Sequence, residues 1–120
     1  TAYEIGVRLV GSEMCIRDSS KSTQLPIPLL NIINGGVHAK NNLDIQEFMI
    51  RPEKSKSFSE AMRKSFLVIQ NLKSMLDNTN VGDEGGFAPM IHNNEDALKL
   101  ILQAIKKSGF NFLKRFKGFL

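Results

Sequence analysis

Two glycine pairs constrain this chain more than any other feature, because each one interrupts an apolar run and adjoins polar residues. The first pair ends the run Leu29–Ile33 at Asn34-Gly35-Gly36, and the second lies in the segment VGDEGGFAP, residues 81–89. A continuous apolar run is typical of a strand buried on both faces, and Asn-Gly-Gly favours a turn. Polar loops are therefore predicted where buried strands end, which is where α/β barrels collect their chemistry.

A second short strand is predicted after the first glycine pair. Residues 45–50 (IQEFMI) are expected to form it, ending before Pro52, while Pro26 and Pro28 suit the entrance of the first strand. Parallel strands need a long crossover, usually a helix. Because the polar loop between the two runs is too short for that helix, we expect an antiparallel pair.

Two helices are predicted to follow the strands. Ser57 and Glu60 form a capping-box pattern at the start of the first, expected over residues 58–76. The second should begin at Asn94-Glu95-Asp96 and end near Gly109. Each carries apolar residues at helical spacing that we expect to face the core. These are Phe58, Met62, Phe66, Ile69, Leu72 and Leu76 in the first helix, and Ala97, Leu98, Ile101, Leu102 and Ile105 in the second.

Charge and composition exclude several classes of protein. The net charge is +4, but residues 106–120 hold five basic residues and no acid, so residues 1–105 carry 11 basic against 12 acidic groups, a net −1. A nucleic-acid-binding domain spreads its basic residues over a face, so we expect no nucleic-acid partner. The single Cys15 permits no internal disulfide. No apolar run approaches the ~20 residues of a membrane span, and we expect a soluble, cytoplasmic protein.

Residues 1–19 (TAYEIGVRLVGSEMCIRDS) do not fit the rest of the chain. They show no sustained period of 2 or 3.6 and lack the basic start and long apolar core of a secretory signal. Thr1–Ile5 and Arg8–Ser19 can be back-translated into strings, among them GAGATGTGTATAAGAGACAG, that resemble the two constant parts of a transposon-library sequencing adapter. We interpret residues 1–19 as a non-native, adapter-derived segment, in which case Cys15 carries no functional information.

Four residues in or beside the loops are candidates for proton chemistry. Asp83 and Glu84 are adjacent carboxylates between glycines, and their repulsion favours keeping a proton on one of them, as a general acid requires. Glu47 is a carboxylate just inside an apolar strand, which is costly unless paired. His38 could shuttle a proton. A structural interpretation without chemistry also remains open, in which Asp83 and Glu84 lie in a solvated turn and His38 is an exposed loop histidine. His92 is expected at the surface.

Taken together, these motifs resemble enolase. The resemblance rests on LPIPLLNIINGGVHAKNNLDIQEFMIRP, NTNVGDEGGFAP and NNEDALKLILQAIKKSGF, in that order, and covers about Ser20–Phe110. It implies an α/β fold, an incomplete TIM-like barrel of the enolase type that opens strand-strand-helix-helix. Residues 20–110 are thus assigned to a partial enolase barrel domain. Residues 111–120 form a basic tail for which we favour a non-native or frame-shifted origin.

The resemblance also implies a reaction and roles for single residues. Enolases (phosphopyruvate hydratases) are glycolytic lyases that interconvert 2-phosphoglycerate and phosphoenolpyruvate plus water, with two Mg²⁺ ions. By resemblance Glu84 is the general acid that protonates the departing hydroxide at C3, and Glu47 assists beside that hydroxyl. Gln46 and His38 belong by resemblance to the substrate-binding set. Val37 stands where the family commonly has a small polar residue.

The same resemblance implies what this chain lacks. The magnesium-binding carboxylates, the lysine that removes the C2 proton and the phosphate-binding arginine come later in the family, so we expect no metal ligand in this fragment. The fragment is expected to be inactive alone, and its parent to be a homodimer or higher homo-oligomer. An open barrel wedge exposes strand edges and apolar surface, which predicts poor solubility.

Two other classes of function stay open on the sequence alone. The chain could be a non-catalytic interaction module derived from an enolase, which would fold by itself and bind a partner. It could instead use its basic tail to bind nucleic acid or membranes, and that binding would fall steeply with salt. Cooperative folding with a saturable partner would favour the first of these, and loss of binding on removal of residues 106–120 would favour the second.

Overall fold

The computed structural model describes residues 23–111. Residues 1–19, interpreted above as adapter-derived, lie outside the described part of the chain, as does all of the basic tail beyond residue 111. The interpretations of both segments therefore stay predictions.

The predicted antiparallel strand pair is present. Strand β1, Leu30–Asn34, pairs with strand β2, Glu47–Ile50, and Asn34 lies opposite Glu47 at the end of the ladder. Strand β2 begins two residues later than predicted. The reason is that the Ile45 amide donates to Asn94 Oδ1 at 3.4 Å, so this residue is held by a helix terminus rather than by β1.

A third segment joins β1 on its other edge. The Asn34 amide donates to the Phe87 carbonyl at 2.8 Å, and the Phe87 amide donates to the Ile32 carbonyl at 2.9 Å. The Ile33–Phe87 bridge runs parallel, so β1 lies between an antiparallel and a parallel neighbour. Strand, strand, helix and helix follow in the predicted order of an α/β fold, although residues 23–111 do not close a barrel.

Helix α1 spans Phe58–Lys73 and begins with the predicted cap. Ser57 Oγ accepts from the Glu60 amide at 3.1 Å, while the Glu60 carboxylate accepts from the Lys56 amide at 2.6 Å. The helix ends three residues before the predicted position. Met75 and Leu76 donate to carbonyls three residues back, so the chain tightens there instead of continuing as an α-helix.

Helix α2 spans Asn94–Lys107, as predicted. Asn93 caps its start by accepting from the Asp96 amide, and Gly109 adopts φ +78° just beyond its end. The C-terminal ends of the two helices are joined by hydrogen bonds. Asn71 Nδ2 donates to Ser108 Oγ at 2.9 Å, and Lys107 Nζ donates to Ser74 Oγ at 3.0 Å.

The predicted core-facing stripes are wrong for five large residues. Phe58, Met62 and Phe66 on α1 are exposed, as are Leu98 and Leu102 on α2. Leu72, Ala97 and Ile101 are buried as predicted, and small residues outside the predicted stripes, Ala61 and Ser65 on α1 and Ala104 on α2, take the other inner positions. The core consists of Ile32, Ile33, Leu43, Phe48, Val68, Leu72, Ile91, Ala97, Ile101 and Ala104.

Neither helix found within residues 23–111 has the length and apolar character that a membrane crossing requires.

Candidate active site

The candidate site lies where β1 ends and β2 begins. Two loops meet there: the histidine loop, residues 35–46, and the acid loop, residues 81–89. Because Asn34 pairs with Glu47, the hairpin returns the chain to the end of β1 before β2 starts. Glu47 thus lies beside the histidine loop at the same end of the sheet.

The histidine loop is folded tightly onto itself. The Gly35 amide donates to the Gln46 carbonyl at 2.9 Å, and the Gly36 amide donates to the Leu43 carbonyl at 2.7 Å. A Cβ on Gly35 would collide with the Ile45 carbonyl and Leu43, so this position requires glycine. A short 3₁₀ turn, Gly36–His38, follows and leaves His38 half-buried beside β2.

The acid loop is a turn closed by glycines. The Gly82 amide donates to the Gly86 carbonyl at 2.8 Å, and the Gly85 amide donates to the Gly82 carbonyl at 3.0 Å. Gly85 has φ +78°, a conformation that favours glycine. Gly86 lies against β1, where an added Cβ would be 2.6 Å from Asn34 Oδ1. Glu84 lies on this turn and is exposed.

The two loops and the start of β2 bring together three of the four residues to which the resemblance gave roles. One ligand atom from each of His38, Glu47 and Glu84 lies within 4.8 Å of the others, and His38 Nδ1 is 3.7 Å from Glu47 Oε1. Gln46 is exposed next to Glu47, and its Cγ lies close to Gly36. Asp83 is exposed outside this group, and His92 is exposed as predicted.

The three side chains can exchange protons or hold a cation. An imidazole and two carboxylates in such proximity are typical acid–base partners. They also resemble the mixed donor set of transition-metal sites. Mg²⁺ selects oxygen ligands in near-ideal octahedral geometry, and a set that includes a histidine nitrogen does not fit it. We therefore assign no Mg²⁺ to this group.

Two asparagines, Asn34 and Asn41, lie at the site, and the sequence pattern marks only Asn34, as part of a turn. The Asn34 side chain is fully buried beneath Gly82 and Gly86. Asn41 Nδ2 donates to the Asn34 carbonyl at 2.9 Å and to the Pro89 carbonyl at 3.2 Å. Asparagine is common in ordinary turns, so the sequence does not distinguish Asn41 from other loop residues. Its bridging role becomes visible only in the folded structure, because Pro89 lies 48 residues away along the chain.

The fold and the site together define an α/β protein with a carboxylate–histidine group at the ends of its strands. A family model described as the enolase C-terminal TIM barrel domain matches residues 22–116. The chain is also 66% identical over 91 residues to a curated enolase of Pelagibacter ubique (strain HTCC1062), an alignment that covers 72% of this chain. The chain belongs to the enolase family, which confirms the resemblance seen in the sequence. It spans 22% of the length of that relative.

Proposed function

We propose that this chain is a segment of an enolase that interconverts 2-phosphoglycerate and phosphoenolpyruvate plus water. The observation that carries the proposal is the approach of His38, Glu47 and Glu84 to within 4.8 Å. These residues are 46 positions apart in the sequence, from His38 to Glu84, so folding alone unites them. The enolase family membership supplies the reaction.

Glu84 is proposed as the general acid. Hydroxide is a poor leaving group, so a positioned acid must deliver a proton to it as the bond to C3 breaks. The exposed turn that carries Glu84 leaves one side of this carboxyl free to approach a substrate. The reverse reaction would use the same carboxylate to take a proton from water.

Glu47, His38 and Gln46 are proposed to support this step. Glu47 lies beside the departing hydroxyl in this proposal, and the His38 imidazole is its neighbour, with Nδ1 3.7 Å from Glu47 Oε1. His38 and the exposed Gln46 would contact the substrate. The three residues thus bind and orient, and the proton transfer itself falls to Glu84.

The rest of the reaction is proposed to depend on other parts of the parent enzyme. Mg²⁺ would stabilise the charge that develops when the C2 proton leaves, through carboxylates that belong to later parts of the family's sequence. The chain by itself is therefore proposed to be inactive. A cytoplasmic, homo-oligomeric parent is part of the same proposal.

The test uses a chimera, defined as the complete Pelagibacter enolase in which this chain's matching segment replaces the corresponding residues. We expect Glu84→Gln in the chimera to lower kcat by roughly 10²- to 10⁴-fold, the usual contribution of a general acid. The matched control is Glu95→Gln, an exposed carboxylate in the first turn of α2, which should leave kcat unchanged.

The rate is followed as phosphoenolpyruvate formation, with circular dichroism to show that each variant is folded. Equal rates for the Glu84→Gln and Glu95→Gln variants would contradict the proposed role of Glu84. A rise in KM with kcat unchanged would also contradict it, because a general acid acts in the transition state rather than in substrate binding.

A further inference from the structure

The Asn41 side chain connects three parts of the candidate site. Its Nδ2 donates to the carbonyl of Asn34, the last residue of β1, and to the carbonyl of Pro89, at the end of the acid loop. Its Oδ1 accepts from the Leu43 amide at 3.2 Å, inside the histidine loop. One amide group therefore joins β1, the histidine loop and the acid loop.

These three hydrogen bonds need an amide. The two protons on Nδ2 go to two different carbonyl oxygens, and the oxygen goes to an N–H donor. A carboxylate of the same shape has no proton to donate. With aspartate at this position the Asn34 and Pro89 carbonyls would face negative oxygens, and both bonds would become repulsive.

Few other hydrogen bonds between the two loops occur among residues 23–111. The Asp83 amide donates to the His38 carbonyl at 3.2 Å, which links the residue before Glu84 directly to His38. Asn41 restrains the same pair of loops from their other ends. Since Glu84 itself is exposed, its distance from His38 and Glu47 depends on how firmly the loops are held together.

We propose that Asn41 is a positioning residue, which fixes the histidine loop against the acid loop and so sets the distance between Glu84 and the His38–Glu47 pair. This proposal rests on the proposed function. Asn41 acts through the loops and not on the substrate, because its amide is fully used in protein hydrogen bonds. Catalysis is sensitive to displacements of about 1 Å, whereas Gln46 and His38 lie outside the acid loop and are expected to bind the substrate as before.

The experiment compares Asn41→Asp with Asn42→Asp in the chimera. The two substitutions are chemically identical and adjacent, but Asn42 is exposed. For Asn41→Asp we expect kcat to fall about 10- to 100-fold, because a displacement of about 1 Å can cost roughly 10²-fold, with little change in KM. We also expect faster hydrogen exchange at the Asp83 amide, and neither effect for Asn42→Asp.

The proposal is overturned if Asn41→Asp keeps the kcat of the chimera, or if kcat falls only in proportion to the folded fraction. If the unsubstituted chimera folds but is inactive, the proposed function fails. Hydrogen exchange at the Asp83 amide then tests by itself whether Asn41 holds the two loops together. Unchanged exchange there contradicts the positioning role. Should Asn41→Asp not fold, Asn41→Ser keeps one donor and is expected to give a smaller loss of kcat in the same direction.

Discussion

The loop end of the sheet and the helix pair are held together in different ways. At the loop end, named hydrogen bonds fix each turn, and single atoms such as Asn34 Oδ1 determine which residue fits. Between the helices, small and apolar side chains make most of the contact and hydrogen bonds join the C-terminal ends, while large side chains such as Phe66 remain 58% exposed. Directional bonds tolerate little change in residue type, whereas a packed face can be built from several combinations of side chains. The two regions should therefore respond differently to substitution.

The largest loss of stability is expected in the helix region, on shortening the side chain of Leu72. Leu72 is completely buried in the core, so we expect Leu72→Ala to lower the free energy of unfolding of the chimera by about 2–5 kcal/mol, from lost burial and a residual cavity. Urea denaturation measures this. The control is Gln70→Ala, an exposed position on the same helix. A loss no greater than that of the control would mean that α1 does not pack through Leu72.

The loop region should be sensitive to a single methyl group. Gly86→Ala would place its Cβ 2.6 Å from Asn34 Oδ1 and 3.0 Å from the Ile33 amide nitrogen, both parts of β1. We expect a loss of about 1–3 kcal/mol in the same measurement, typical of overpacking. Gly85→Asn is the matched control, since nothing lies within 4 Å of that position and asparagine tolerates a positive φ. Similar losses at both positions would show that backbone conformation, and not contact with β1, limits the loop.

The smallest predicted effect lies at the start of α1. The hydrogen bond from the Lys56 amide, with a further contribution from Lys64, lowers the pKa of Glu60 below its ordinary value of 4.5. A carboxylate with a lowered pKa in the folded state stabilises that state above its unfolded pKa, and this effect is lost as the pH falls through the folded value. Glu60→Gln should therefore cost a small amount of stability at pH 7 and almost none in acid.

The Glu60 prediction is checked by urea denaturation of both proteins across that range of pH. Glu53→Gln, an exposed carboxylate outside the helices, is the control. A stability difference for Glu60→Gln that does not change with pH would rule out the charged hydrogen bond as its cause.

The difference between the loop end and the helix pair also explains how far the sequence could predict the structure. Asn-Gly-Gly and the Ser57–Glu60 pair indicated a turn and a cap correctly, because the geometry of each depends on residues close in sequence. The grouping of Glu84 with His38 depends on the Ile33–Phe87 pairing, which no local pattern contains; the enolase resemblance supplied that expectation. The large apolar residues misled the prediction of the buried face, because alanine and serine at the inner positions carry little weight in a hydrophobic pattern. Asn41 escaped notice because its partner Pro89 is 48 residues away.

The most direct test of the central claim is the kcat of the unsubstituted chimera for phosphoenolpyruvate formation. If residues of this chain form the acid side of an enolase site, the remaining residues of the host should complete it, and kcat should lie within about tenfold of that of the host enzyme, a difference of about 1.4 kcal/mol in barrier. A chimera that folds as the host does but shows no turnover would contradict the claim that His38, Glu47 and Glu84 form an enolase active site.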